Sequence, residues 1–149
     1  MTSNYKRTAD WLKACGKEPE PNNLSVQIGC KIEEDCEFLK TLRTESDGYA
    51  KLLQRTIADL EWFASKLKRR EQFVYIPTHL REDALDALCD SEVTGNGVAY
   101  MAGFNKVQAD ALVLESNDAK LVNGQPVLLE GGKIGKPEGW KPPDLRGCV

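Results

Sequence analysis

Residues 49–70 read "YAKLLQRTIADLEWFASKLKRR" and contain neither glycine nor proline. Apolar side chains fall at Tyr49, Leu52, Leu53, Ile57, Leu60, Phe63, Ala64 and Leu67. Steps of three and four residues are the signature of a helix with one buried stripe, since residues so spaced stack on one face. The same periodicity recurs to either side. "SNYKRTADWLKAC" predicts a short first helix ending at Gly16. "KEPEPNN" is a connection, after which Asn23 or Ser25 is placed to cap a second helix running to about Thr44. "ESDG" interrupts the pattern before residue 49. A fourth helix opens at Pro77 and Thr78, weakened in its middle by Gly95 and Gly97, and "NKVQADALVLES" is a shorter fifth. From residue 118 the period fails, and "NGQP", "EGGK", "KPEG" and "KPPD" mark turns. The pattern predicts an all-α, antiparallel bundle of about four to five helices in one domain, with a core over about 24–117 and an irregular C-terminal extension over 118–149.

Composition narrows the function. The chain has 149 residues, 41% of them hydrophobic, which suits one folded domain rather than a disordered chain. No run approaches the ~18 apolar residues of a membrane span, and "MTSNYKRTADW" lacks the apolar segment of a secretory signal, so a soluble cytoplasmic protein without a membrane partner is expected. The net charge is −3. From Lys120 onward five basic residues face three acids, leaving +2 in the tail and −5 over residues 1–119. An acidic body argues against nucleic-acid binding, which requires a basic face. The five cysteines, at 15, 30, 36, 89 and 148, form no Cys-x-x-Cys pair and are expected to be free thiols. With His79 the single histidine, a zinc site has too few ligands.

The acids are arranged oddly. Within "QIGCKIEEDCEFLK" (27–40), taking Glu33 as the origin at about 100° per residue, Glu37 falls near 40° and Glu34 near 100°. The apolar Ile28, Ile32 and Leu39 fall at roughly 220–260°. No residue four positions from any of these glutamates is basic, and Lys40 lies three after Glu37, so their repulsion is expected to be left largely unrelieved. In "DALDALCD" (83–90), Asp86 and Asp90 lie within about 60° of Asp83. That face continues through Val93, Thr94, Gly97, Met101 and Phe104, turning small and apolar as though it faced an interior. Carboxylates on such a face are costly unless protonated, paired or bound to a metal. A solvated acidic surface and an all-oxygen site for a hard cation such as Mg²⁺ or Mn²⁺ are the two readings.

"EEDCE" (33–37) matches a Glu-Glu-x-x-Glu motif, and "DALDALCD" resembles the Glu-x-x-Asp segment that accompanies it in the all-α nucleoside triphosphate pyrophosphohydrolases, the MazG-like and phosphoribosyl-ATP pyrophosphohydrolase-like superfamily. "ESNDAKLVNGQPVLLEGGKIGKPEGWKPPDL" (115–145) is similar to the ending of small phage-type members. The resemblance spans most of residues 24–145. Two departures stand out: Asp83 occupies the usual Glu position, and Leu114-Glu115 stands where Asn-Arg is common. "KRREQFVYIPTHL" has no counterpart with a role.

The resemblance implies Mg²⁺-dependent cleavage of a nucleoside triphosphate to monophosphate and pyrophosphate. It implies Glu34, Glu37, Asp83 and Asp86 as metal ligands, Glu33 as ligand or as the base that orients water, and Asp90 in support. It further implies Asn117 and Lys120, with Lys133 and Lys136 after them, as contacts to phosphate or sugar, and a homodimer or pair of dimers. Leu60, Trp62 and Phe63, spread over more than one face of their helix, suit burial against a second subunit. Rival readings are a modified nucleotide, dUTP or an alarmone such as guanosine tetraphosphate as substrate, or a non-enzymatic helical module that binds nucleotides or a protein.

Overall fold

The structure, a computed structural model, describes residues 3–129 and 134–149. The fold is all-α, as the apolar periodicity requires. Five α-helices, α1 (Asn4–Ala14), α2 (Pro21–Leu39), α3 (Asp47–Lys68), α4 (Arg81–Met101) and α5 (Lys106–Asp118), precede a short irregular extension among the described residues. The chain divides into two compact units, Pro19–Pro77 and Met1–Glu18 with Thr78–Val149.

The first unit is a helical hairpin. Lys40 near the end of α2 pairs with Glu61, while Glu33 one to two turns earlier pairs with Lys68 near the end of α3, so the helices run antiparallel. Their seam is made of small side chains. Ser25, Gly29 and Cys36 of α2 are buried against Ile57, Ala64 and Leu67 of α3, and Leu67 is completely enclosed. Gly29 sets the approach: a Cβ there would lie 2.9 Å from the carbonyl oxygen of Ala64 and 3.0 Å from Cβ of Leu67. Close backbone approach gives dense packing from side chains that have little area to bury.

The helix ends differ from the expected ones. α2 begins at Pro21 after Glu20, because proline in the first turn has the right φ and lacks a backbone N–H that would go unpaired there. Ser25 is therefore not a cap but an interior residue, and its hydroxyl accepts from the Val74 N–H at 3.1 Å, tying the segment after α3 back onto α2. α2 stops at Leu39 rather than near Thr44, where Thr41 Oγ1 donates to the Phe38 carbonyl at 2.7 Å. Ser46 caps α3 by accepting from the Tyr49 N–H.

The second unit is organised around α5. Ser3 caps α1, and Gly16 at φ +70° ends it. The Trp11 indole N–H donates to the Asn117 carbonyl at 2.8 Å, and Arg7 pairs with Asp118 at 2.6 Å, so α1 is tied to the last turn of α5. A 3-10 turn over Thr78–Leu80, which contains His79, leads into α4, and α4 passes through Gly95 and Gly97 without a break. Asn105 caps α5 by accepting from the Gln108 N–H. The extension begins with a hairpin, β1 (Leu121–Val122) and β2 (Gln125–Pro126). Its two-residue turn places Asn123 at φ +53° and Gly124 at φ +75°, the mirror-image geometry that Asn-Gly favours. The chain then returns to α5: the Trp140 indole donates to the Ser116 carbonyl at 2.9 Å, and the Asn105 N–H donates to the Cys148 carbonyl at 2.8 Å, with Cys148 buried.

Candidate functional site

The three α2 glutamates lie within one helical turn and meet different surroundings. Glu33 is half-buried and forms an ion pair with Lys68 of α3. Glu34 and Glu37 are exposed. The expectation that repulsion on this helix goes largely unrelieved is corrected here. Lys68 reaches Glu33 across the hairpin, Lys31 pairs with Asp35 at 2.8 Å one helical turn away, and Lys40 turns to Glu61 at 2.5 Å. The hydrogen bond from Lys40 to Glu61 raises the Lys40 pKa, with Glu37 adding a smaller push in the same direction. Partners supplied by another helix are invisible to spacing along one helix.

Asp83, Asp86 and Asp90 are exposed over the first half of α4. Glu82 and Asp83 occupy its first turn, where the exposed N–H groups and the helix dipole favour negative charge. None of the three aspartates forms an ion pair among the described residues. The apolar stretch beyond them is not turned inward within this chain. Val93, Thr94, Gly97, Met101 and Phe104 are all exposed, Met101 to 84%, and Ala99 is the buried residue of α4. The pattern marks an apolar face that stays exposed among the described residues.

Glu34 with Glu37, and Asp83 with Asp86, are each three residues apart and so share a helix face. Among the described residues no group of three or more His, Cys, Asp or Glu side chains is gathered as a metal cage. Mg²⁺ makes no such demand. It is commonly held by one or two carboxylates while water and substrate phosphates fill the remaining positions. An exposed pair of carboxylates offers hard oxygen donors of the kind that ion takes.

The phosphate candidates gather at the end of α5. Lys120 Nζ donates to Asn117 Oδ1 at 2.8 Å and lies 5.5 Å from the centre of the Trp140 ring. Lys136 Nζ lies 4.5 Å from the same ring centre. Lys133 lies outside the described residues. Spacing did not single out Trp11, whose indole holds the Asn117 backbone here, nor, separately within the α2–α3 hairpin, Lys68, the partner of Glu33. Nothing in the local sequence marks either, because each acts on a residue far along the chain. A shallow depression of about 240 Å³ beside the cluster is lined by Arg7, Asp10, Trp11, Asp118 and Leu121.

None of the five cysteines forms a disulfide. Cys36 and Cys15 are buried, and burial pushes both thiols up from the ordinary value of 9.0, which makes them poor nucleophiles. No helix among the described residues is long and apolar enough to cross a membrane. Comparison with protein-family models, with curated proteins and with solved structures finds no match to this chain.

Proposed function

We propose that this chain is a Mg²⁺-dependent nucleotide pyrophosphohydrolase of the cytoplasm, cleaving a nucleoside triphosphate to monophosphate and pyrophosphate. The observation that carries the reading is the pair of exposed carboxylates on each of two helices, Glu34 with Glu37 and Asp83 with Asp86, in a chain whose lysines gather elsewhere at a tryptophan. Glu34, Glu37, Asp83 and Asp86 are the residues to hold Mg²⁺, which when bound neutralises phosphate oxygens and acidifies water. Glu33, which pairs with Lys68, is the residue assigned to orient the attacking water and accept its proton as the new P–O bond forms. The displaced pyrophosphate leaves with the bridging oxygen. Asn117, Lys120 and Lys136 are the substrate contacts, since an ammonium is a compact charge suited to phosphate.

The active species is a homo-oligomer. Trp62 and Phe63 on α3 and Val93, Val98 and Met101 on α4 are exposed, Trp62 to 63% and Val93 to 66%, although a monomer rarely leaves so many large apolar side chains in water. Leu60, by contrast, is half-buried within its own chain.

The test is a product assay. Purified protein, with Mg²⁺ or with chelator, is given ribo- and deoxynucleoside triphosphates, dUTP among them, and guanosine tetraphosphate. Glu34→Gln and Asp86→Asn variants run beside it. Metal-dependent monophosphate and pyrophosphate, reduced on the order of a hundredfold in both variants, is the expected result. A folded, Mg²⁺-supplied protein that turns over none of these nucleotides overturns the reading in favour of a binding module.

A further inference from the structure

We infer that the segment following α3, with Arg70, Phe73 and Tyr75 as its contacts, is a docking face for single-stranded nucleic acid. It lies within "KRREQFVYIPTHL", to which the hydrolase reading gives no role, and its contact residues fall inside the α2–α3 unit. The end of α3 is built against local preference. The Arg70 N–H donates to the Leu67 carbonyl at 3.0 Å and the Glu71 N–H to the Lys66 carbonyl at 2.9 Å, the paired bonds of a Schellman ending. That ending holds Arg70 at φ +57°, a left-handed position that glycine ordinarily takes. Keeping arginine there costs conformational energy, which a use for its side chain explains. Arg70 is exposed and, among the described residues, forms no ion pair. Its neighbours are engaged without cancelling the charge. Lys66 and Arg69 share the one carboxylate of Glu71, at 2.6 and 2.7 Å, and Lys68 pairs with Glu33. Four basic side chains thus stand against two acids, and the face is positive although residues 1–119 as a whole carry −5. Salt screens exposed charges beyond about 8 Å, so the local excess decides what this face attracts.

Two aromatic rings continue the face. The Val74 N–H donates to Ser25 Oγ at 3.1 Å, which pins the chain after α3 to α2 and sets its register. Neighbouring residues of an extended chain point to opposite sides, so Val74 is half-buried while Phe73 and Tyr75 turn outward, 50% and 67% exposed. Their ring centroids are 6.2 Å apart and the planes lie within 20° of parallel. Near-parallel rings open to solvent beside an arginine are the parts that hold an unpaired strand, the rings stacking on bases and the guanidinium binding phosphate. A duplex keeps its base faces within its own stack and has none to give these rings. A purely acidic peptide would use the arginine and leave the rings idle.

Fluorescence anisotropy of labelled oligothymidylate and oligouridylate, about ten nucleotides long, titrated with the full chain in chelator, tests the face. The single strands are expected to bind, and a duplex of the same length and an oligoglutamate to bind much more weakly. Phe73→Ala and Tyr75→Ala should each weaken binding about tenfold, as for loss of one stacked base, and Tyr75→Phe by no more than about twofold. Arg70→Gly is the decisive variant, because it relieves the backbone while removing the cation. It should raise the thermal midpoint yet weaken binding several-fold. It should also reduce the slope of log affinity against log salt by about 0.7, the share of one phosphate contact on a single strand. A purely structural Arg70 would move neither binding readout. Failure of both strands to bind, or undiminished binding by Arg70→Gly and Tyr75→Ala, overturns the face. Oligoglutamate bound as tightly as the oligonucleotides makes it an acidic-peptide site and overturns it as well. None of these outcomes depends on nucleotide turnover, so the face stands or falls apart from the hydrolase reading.

Discussion

The Trp11 indole N–H donates to the Asn117 carbonyl at 2.8 Å, joining residues 106 positions apart in the chain. The bond ties α1 to the end of α5 at the residue whose side chain orients Lys120. Trp11→Phe keeps most of the apolar contact and removes the donor. It is expected to cost about 1 kcal/mol, near the net value of one hydrogen bond, because the Asn117 carbonyl retains the Lys120 N–H. Urea unfolding of the two proteins measures the difference, and an unchanged midpoint would mean that α1 is held by other contacts.

Two glycines should respond in opposite directions to the same substitution. At Gly29 the added Cβ meets backbone oxygen at 2.9 Å, so strain of roughly 1–3 kcal/mol outweighs the gain in helix propensity. At Gly95 nothing lies within 4 Å of the added Cβ, and Gly95→Ala should stabilise α4 by about 0.5–1 kcal/mol. Thermal denaturation of both variants decides whether close packing of α2 on α3 is what requires glycine at 29.

Asp83 is one methylene shorter than glutamate, which leaves its carboxylate further from an ion. Asp83→Glu is therefore expected to lower the Mg²⁺ concentration for half-maximal turnover several-fold, and Asp83→Asn to raise it by about tenfold. A Mg²⁺ titration of the hydrolysis rate reads both. Identical metal dependence in the three proteins would take Asp83 out of the ligand set.

The buried thiols link stability to alkaline pH. Burial raises the folded-state pKa of Cys36 and Cys15 above 9.0, so the folded protein holds these protons more tightly than the unfolded chain. Their contribution is fully present below pH 9.0 and is lost as pH rises toward the folded-state values. Unfolding free energy should thus fall as pH rises past about 9, and more shallowly in Cys36→Ala. In native protein a thiol reagent should label exposed Cys89 first, with Cys15, Cys36 and Cys148 protected.

The exposed stripe of α4 should respond to charge. Val93→Glu with Met101→Glu adds two carboxylates to a face that in this chain is open to solvent, so the monomer fold should tolerate them within about 0.5 kcal/mol each. If copies of the chain associate through this face, light scattering will show the native protein as a larger species than the double variant. Equal masses would place the association elsewhere or remove it.

Helix number and type were determined by the sequence itself. Steps of three and four residues from Leu52 to Leu67, the Ser46 cap before α3, Gly16 after α1 and Asn123-Gly124 at the hairpin are local devices, each acting within a turn or two of backbone, so they can be read without knowing the fold. The acidic face of α2 was legible for the same reason. What the acids meet was decided by tertiary structure. Lys68 comes to Glu33 from the next helix, Trp11 and Trp140 reach α5 from opposite ends of the chain, and Ser25 gives up a capping role to bind the Val74 N–H. A periodic pattern records which face of a helix seeks a partner, because burial and helix geometry are properties of one segment. The identity of that partner depends on chain reversal and close packing, which bring together residues that no spacing rule connects.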